Sequence, residues 1–166
     1  MKHTSDIAQK ATEDITAFLF SQKATVAVIN VEKDSDYQQK DIDLLWEFQK
    51  NGETKKASIE IKADRWHQTG NYFFETISNE SKGTPGCFLY TEAKYVFYYY
   101  LTVRELHILP MPEVRNWFLI NINEFEERKT STPVGGGKSY VTVGRLVPRE
   151  RAQKETLGIR VIRLNV

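Results

Sequence analysis

The stretch ASIEIKADRW, residues 57–66, carries Glu60 and Lys62 on either side of one isoleucine, in a segment that alternates apolar and polar residues. In an extended strand those two side chains share a face. Burying charge without compensation is costly, so a carboxylate and an ammonium group placed side by side need opposite charges, a cation or an anionic ligand. The tripeptide by itself decides nothing, because Glu-x-Lys begins at Glu53, Glu60, Glu80, Glu92 and Glu127. Only the copy at Glu60 lies on an alternating apolar strand with acidic residues, Asp41 and Asp43, on a preceding segment that alternates in the same way.

The element that must position these groups is a hairpin. An Asn51-Gly52 pair between DIDLLWEFQ (41–49) and KKASIEIKAD (55–64) predicts a two-residue turn. Counting outward from Lys50 opposite Glu53, Asp43 falls opposite Glu60 and Asp41 opposite Lys62, while Ile42 faces Ile61 and Leu44 faces Ile59. The register therefore predicts one apolar face and one charged face. Directly opposed Cβ atoms lie about 4.5–5.5 Å apart, so Asp43 and Glu60 repel each other unless something positive lies between them. A divalent cation with oxygen ligands suits such a pair. The competing reading is a solvated sheet face of ordinary cross-strand ion pairs.

Around the hairpin, TSDIAQKATEDITAFLFSQ places Ile7, Ala8, Ala11, Ile15, Phe18 and Leu19 on one stripe and predicts an amphipathic opening helix. ATVAVINV (24–31) reads as a strand and EKDSDYQQK as a loop. GNYFFETIS reads as a strand, NESKGTPG as a loop, and AKYVFYYYLT with ELHILP as a second hairpin. Pro112 at a first helical position, followed by Val114, Trp117, Phe118, Asn121 and Phe125, predicts a helix over residues 113–127. TSTPVGGGKS reads as a flexible loop, and YVTVGRLV and GIRVIRLNV as closing strands. The expected fold is a single α/β domain over residues 1–166, with a mixed central β-sheet and flanking helices.

An Asp on one strand, followed across a hairpin by Glu-x-Lys on the next and preceded by a helix, resembles the PD-(D/E)XK nuclease superfamily. The residues that carry the likeness are Asp43 in KDIDLLW and Glu60 and Lys62 in SIEIKAD, and it spans roughly the first half of the chain. It looks most like restriction-endonuclease-like and Holliday-junction-resolvase-like members, although Ile42 stands where the family pattern has proline. The resemblance implies a restriction-endonuclease-like core, hydrolysis of phosphodiester bonds, most of all in DNA, and Mg2+ or Mn2+ as cofactor. It implies Asp43, Glu60 and the Ile61 carbonyl as metal ligands, and Lys62 as the group that orients or deprotonates the attacking water. Many members act as homodimers, so a homodimer is in keeping with the likeness.

Other residues have weaker claims. The register favours Asp41 as a partner of Lys62 over a role as ligand to a second metal. Gln68 and Glu75 follow the motif, as polar residues do in several branches of the superfamily. Arg65, His67 and Lys82 come just after it and are candidates for phosphate contacts, as is the group Arg145, Arg149 and Arg151. Tyr98, Tyr99 and Tyr100 suit a sheet core better than base stacking. Glu13 points away from the helical stripe and Asp14 lies nearer it, so neither is included. GGGKS is not a phosphate loop, because Thr132 stands where the first glycine belongs and no helix follows. The three histidines lack zinc-ligand spacing.

The totals bound the rest. A net charge of +1, from 23 Lys plus Arg against 22 Asp plus Glu, gives no global attraction to nucleic acid, so any basic surface is local. The single cysteine, Cys87, excludes an internal disulfide and fits a reducing, cytoplasmic setting. MKHTSDIAQK lacks a signal-peptide core, and no apolar run reaches the roughly 18 residues of a membrane span. Two alternatives to an enzyme remain: a non-catalytic nucleic-acid-binding module on the same fold, and a dimeric interaction protein joined through the aromatic hairpin at residues 95–109.

Overall fold

The apolar stripe of the opening segment is the buried face of a helix, α1 (Lys2–Ser21), whose Ala11, Ile15 and Leu19 are fully enclosed. The computed structural model describes the main chain from Lys2 to Val166 and side chains from Ser5 onward. After α1 come β1 (Thr25–Asn30), the single turn α2 (Ser35–Gln38), β2 (Leu44–Lys50), β3 (Glu53–Asp64) and β4 (Asn71–Asn79). A two-residue β5 (Thr84–Pro85) and a one-turn α3 (Cys87–Tyr90) lead to β6 (Tyr95–Tyr100) and β7 (Glu105–Pro110). The chain ends with α4 (Glu113–Asn121), β8 (Glu126–Gly135), β9 (Lys138–Pro148), α5 (Arg149–Glu155) and β10 (Arg160–Arg163).

These elements form two compact units. The first comprises Lys2–His67, Glu92–Met111 and Ile159–Val166; the second comprises Gln68–Thr91 and Pro112–Gly158. The first unit holds a six-stranded sheet in the order β1-β2-β3-β6-β7-β10. It is mixed, because β3 and β6 run parallel while the other neighbours are antiparallel. Ala11, Ile15 and Leu19 of α1 pack with Leu44, Ile59, Phe97, Tyr99 and Leu106 of this sheet. The fold is thus α/β with a mixed sheet. The second unit holds a four-stranded antiparallel sheet, β5-β4-β9-β8. Its core is aromatic: Phe74 stacks on Phe88 at 3.8 Å between ring centres and meets Phe118 edge-on at 5.3 Å.

The Asn51-Gly52 turn forms as predicted. Both residues have positive φ, 54° and 76°, as a tight hairpin turn with the right twist requires, and Lys50 pairs with Glu53. Leu44 pairs with Ile59, so the predicted register holds along all of β2. It stops there. Asp41 has φ of 57°, and the N–H groups of Asp41 and Ile42 donate to Gln38 O and Tyr37 O, both at 3.1 Å, closing a turn in place of a strand. The expected ladder pairs of Asp43 with Glu60, Ile42 with Ile61 and Asp41 with Lys62 are therefore absent. Ile42 lies instead with Val31, Leu45 and Ala93 in a separate small core, on the face that was expected to be charged.

Three other expectations are corrected, and one helix is unanticipated. The loop after β1 contains the turn of helix α2, capped by the Asp34 side chain on Asp36 N–H at 3.0 Å. The helix predicted over 113–127 ends at Asn121; Pro112 is its N-cap, a 3-10 turn covers Ile122–Glu124, and Phe125 is buried beyond the helix. TSTPVGGGKS is the tip of the β8–β9 hairpin, with Gly135 paired to Lys138 and positive φ at Gly136 and Gly137. Its Thr, Ser and Val residues favour extended backbone, and the glycines make the turn. Finally α5, seven residues with only Ala152 buried, is too short to leave a periodic signal.

Candidate metal centre

Asp43 sits one residue before β2 and is clamped by backbone on both sides. Its N–H donates to Ile59 O at 2.9 Å, its carbonyl accepts the Val31 N–H at 2.8 Å, and its Oδ2 accepts the Ile61 N–H at 2.8 Å. The last bond is where the ladder would have continued had the strand gone on. The carboxylate thus takes the place of a main-chain carbonyl at the end of β2 and holds the side chain over β3.

Glu60 is buried, with 8% of its surface exposed, although strand alternation sets it on the polar face of β3. Its Oε2 is enclosed and has no hydrogen-bond partner among the described residues. Burial pushes its carboxyl well above the usual carboxylate range; the nearby charges of Asp43 and Asp41 and a hydrogen bond to Asp43 act the same way, and only Lys62 opposes them. Burial also raises Asp43, against the Ile61 N–H and the hydrogen bond from Glu60, with the Glu32 charge adding to the rise. Without a cation, a protonated Glu60 donates to the Asp43 carboxylate. A carboxyl pair of this kind, with one oxygen still lacking a partner, fits a hard divalent cation with oxygen ligands.

Lys62 lies two residues along the same face, close enough for its charge to favour ionised Glu60. Asp41 is off the strand, yet its charge reaches Glu60. Asp43, Glu60 and Ile61 line a cleft of about 800 Å³ that is also lined by the polar face of α1, including Thr12. Two further acids line it. Glu13, which points away from the apolar stripe, faces this space, and Glu32, outside the Asp and Glu-x-Lys pattern, accepts a hydrogen bond from Thr12 Oγ1 at 2.8 Å. The signal for Glu32 lies in strand pairing: Asn30 pairs with Leu44, so the exit of β1 adjoins the entry of β2.

Arg65 is exposed just after β3, its guanidinium 5.6 Å from the centre of the Trp66 ring, and Trp66 is 58% exposed. His67 is held by Glu105 at 3.2 Å and meets Tyr100 edge-on. Gln68, Glu75 and Lys82 belong to the second unit. There Glu75 accepts a hydrogen bond from the Cys87 thiol at 3.8 Å, and Lys82 is exposed in a 3-10 turn. Arg145 and Arg151 are tied within that unit, to Phe125 O and Glu127 and to Glu124 and Glu155 respectively. Tyr98, Tyr99 and Tyr100 are fully buried, so their rings stack on no base. No helix among the described residues is long and apolar enough to cross a membrane. Comparison of the chain with protein-family models, with curated proteins and with solved structures found no match in any of the three.

Proposed function

We propose that the chain is a divalent-cation-dependent nuclease that hydrolyses phosphodiester bonds in DNA, on a restriction-endonuclease-like core. The observation that carries this reading is the enclosed, unpartnered Oε2 of Glu60 beside the Asp43 carboxyl. A buried acid on which the charges of two others act, as those of Asp43 and Asp41 do on Glu60, is costly to ionise unless a cation joins it. Such strained acids on a cleft wall are characteristic of working sites.

Asp43 and Glu60 would hold Mg2+ or Mn2+. The Ile61 N–H is turned toward Asp43, and in an extended strand the carbonyl of the same residue faces the same edge, which adds an uncharged oxygen beyond the end of β2. The chemistry supplied by the bound cation is charge neutralisation at the scissile phosphate and a lowered pKa for its water. Lys62, on the face shared with Glu60, would orient the attacking water and help to deprotonate it. Asp43, fixed by three main-chain hydrogen bonds, keeps the carboxyl pair from relaxing apart. Arg65 with the exposed Trp66 offers a cationic, aromatic surface at the end of β3 for phosphate and unstacked bases.

The test is incubation of the protein with plasmid, single-stranded and branched DNA in Mg2+ or Mn2+, alongside Asp43→Ala and Lys62→Ala. Cleavage by the wild type that EDTA and both substitutions abolish supports the proposal. Cleavage that survives the substitutions overturns the site, and DNA binding without cleavage favours the non-catalytic module.

A further inference from the structure

We propose that Glu32 is a third carboxylate ligand of the cation site, a residue outside the Asp and Glu-x-Lys pattern, held in place by the hydroxyl of Thr12 on α1. The inference rests on the metal-site reading above and adds a residue to it.

Glu32 follows β1 by two positions and is fixed from several directions. Its N–H donates to Asn30 Oδ1 at 3.0 Å, its carbonyl accepts Gln38 Nε2 at 2.7 Å, and its Oε1 accepts Thr12 Oγ1 at 2.8 Å. The preceding residue, Val31, is bound through its N–H to the carbonyl of Asp43 at 2.8 Å, so the main chains that bear the two carboxylates are tied together. Glu32, Asp43 and Glu60 line one cleft, and Glu60 carries the buried, unpartnered Oε2. The charge of Glu32 bears on Asp43 and raises it, which places the two acids within electrostatic reach. Two of these bonds fix the main chain of Glu32 and the third, from Thr12, orients its carboxylate, as a partner outside the ligand set does for a metal ligand. Hard cations such as Mg2+ and Mn2+ take six or so oxygens, and a third carboxylate also balances the ion's charge.

The experiment is a Mn2+ titration of the full chain, followed by calorimetry and by the loss of the free-ion paramagnetic resonance signal. Wild type, Glu32→Gln, Glu32→Asp, Thr12→Val and Asp43→Asn are compared, with thermal unfolding in EDTA run on each. The expected result is Asp43-dependent binding that weakens at least about 10-fold in Glu32→Gln, with Glu32→Asp intermediate and Thr12→Val shifted the same way by less. The unfolding temperature of Glu32→Gln in EDTA should not fall below that of wild type by more than Thr12→Val does, because removing the charge relieves Asp43. Wild-type affinity retained in Glu32→Gln overturns the proposal while leaving the Asp43–Glu60 site standing. No binding by wild type, or binding indifferent to Asp43→Asn, overturns both. If Glu32→Gln fails to fold, Glu32→Asp and Thr12→Val decide the matter by the same readout.

Discussion

The Oδ2 of Asp43 accepts the main-chain N–H of Ile61 at 2.8 Å, one residue past the last ladder pair of β2 and β3. A side chain here does the work of a strand. The bond fixes the carboxylate over β3, where it shares a hydrogen bond with Glu60. Replacing Asp43 by Ala strips the Ile61 N–H of its acceptor, which costs about 1–3 kcal/mol when the group stays dry. Asp43→Asn keeps a carbonyl in place and should recover about half of that loss or more. Urea unfolding in EDTA checks the order; equal stability of the two variants would show that the bond contributes nothing.

Glu60→Gln should stabilise the metal-free protein at neutral pH while removing the cation site. The amide can donate to Asp43 as the protonated acid does, and it never ionises. Because burial raises the folded-state pKa of Glu60 above its ordinary value of 4.5, the native state retains a proton that the unfolded chain has released. Its stabilising contribution is therefore complete below about pH 4.5 and is lost as pH rises through the folded-state value. Wild-type stability in EDTA should fall across that range and Glu60→Gln stability should not. The gap at pH 8 should be on the order of 1 kcal/mol or more. Parallel pH profiles of the two proteins are incompatible with this account.

Lys62→Ala should bind Mn2+ at least as tightly as wild type, because a positive charge beside the site is gone. If the proposed nuclease activity is present, its DNA cleavage should fall by about 10²–10⁴-fold, the usual contribution of a proton-transfer group. Loss of Mn2+ affinity in this variant would make Lys62 a part of the binding site and not a proton carrier.

Glu105 predicts an acid-side transition of different origin. Despite the desolvation that pushes its carboxyl up, hydrogen bonds and charge from His107 and His67 hold it below its ordinary value of 4.5. Its stabilising effect is present above that pH and is lost as pH falls through the lower folded-state value. Glu105→Gln should lower stability at pH 6 by roughly 1 kcal/mol and flatten the decline below about pH 4.5. Melting temperatures from pH 6 to 3 provide the measurement.

In the second unit, Gly86 lies so close to β4 that a Cβ there would strike the carbonyl of Glu75 and stand 2.8 Å from Thr76 N. Main chain on that side cannot move aside while the Gly86 N–H bonds to Thr76 O at 3.0 Å. Gly86→Ala should therefore cost about 1–3 kcal/mol, as overpacking does, and calorimetric unfolding will show whether it does.

The sequence by itself determined the elements whose signals are local. The stripe on α1, the Asn51-Gly52 turn and the alternation of β2 and β3 are each written within a short window, so the hairpin register from Lys50–Glu53 to Leu44–Ile59 could be counted directly. That count puts Asp43 opposite Glu60 as a ladder pair, whereas the ladder ends at Leu44–Ile59 and the bond from the Ile61 N–H holds the Asp43 side chain near Glu60. Tertiary structure decided what lies past the window. Counting alone extended the strand to Asp41, but a left-handed residue and two turn hydrogen bonds ended it at Leu44 and sent Ile42 into another core. The pairing of β1 with β2, which brings Glu32 beside Asp43, leaves no mark in either segment, since pairing depends on contacts between distant residues. The burial of Glu60 was equally out of reach: its strand position is periodic, but its solvent is decided by everything packed around it.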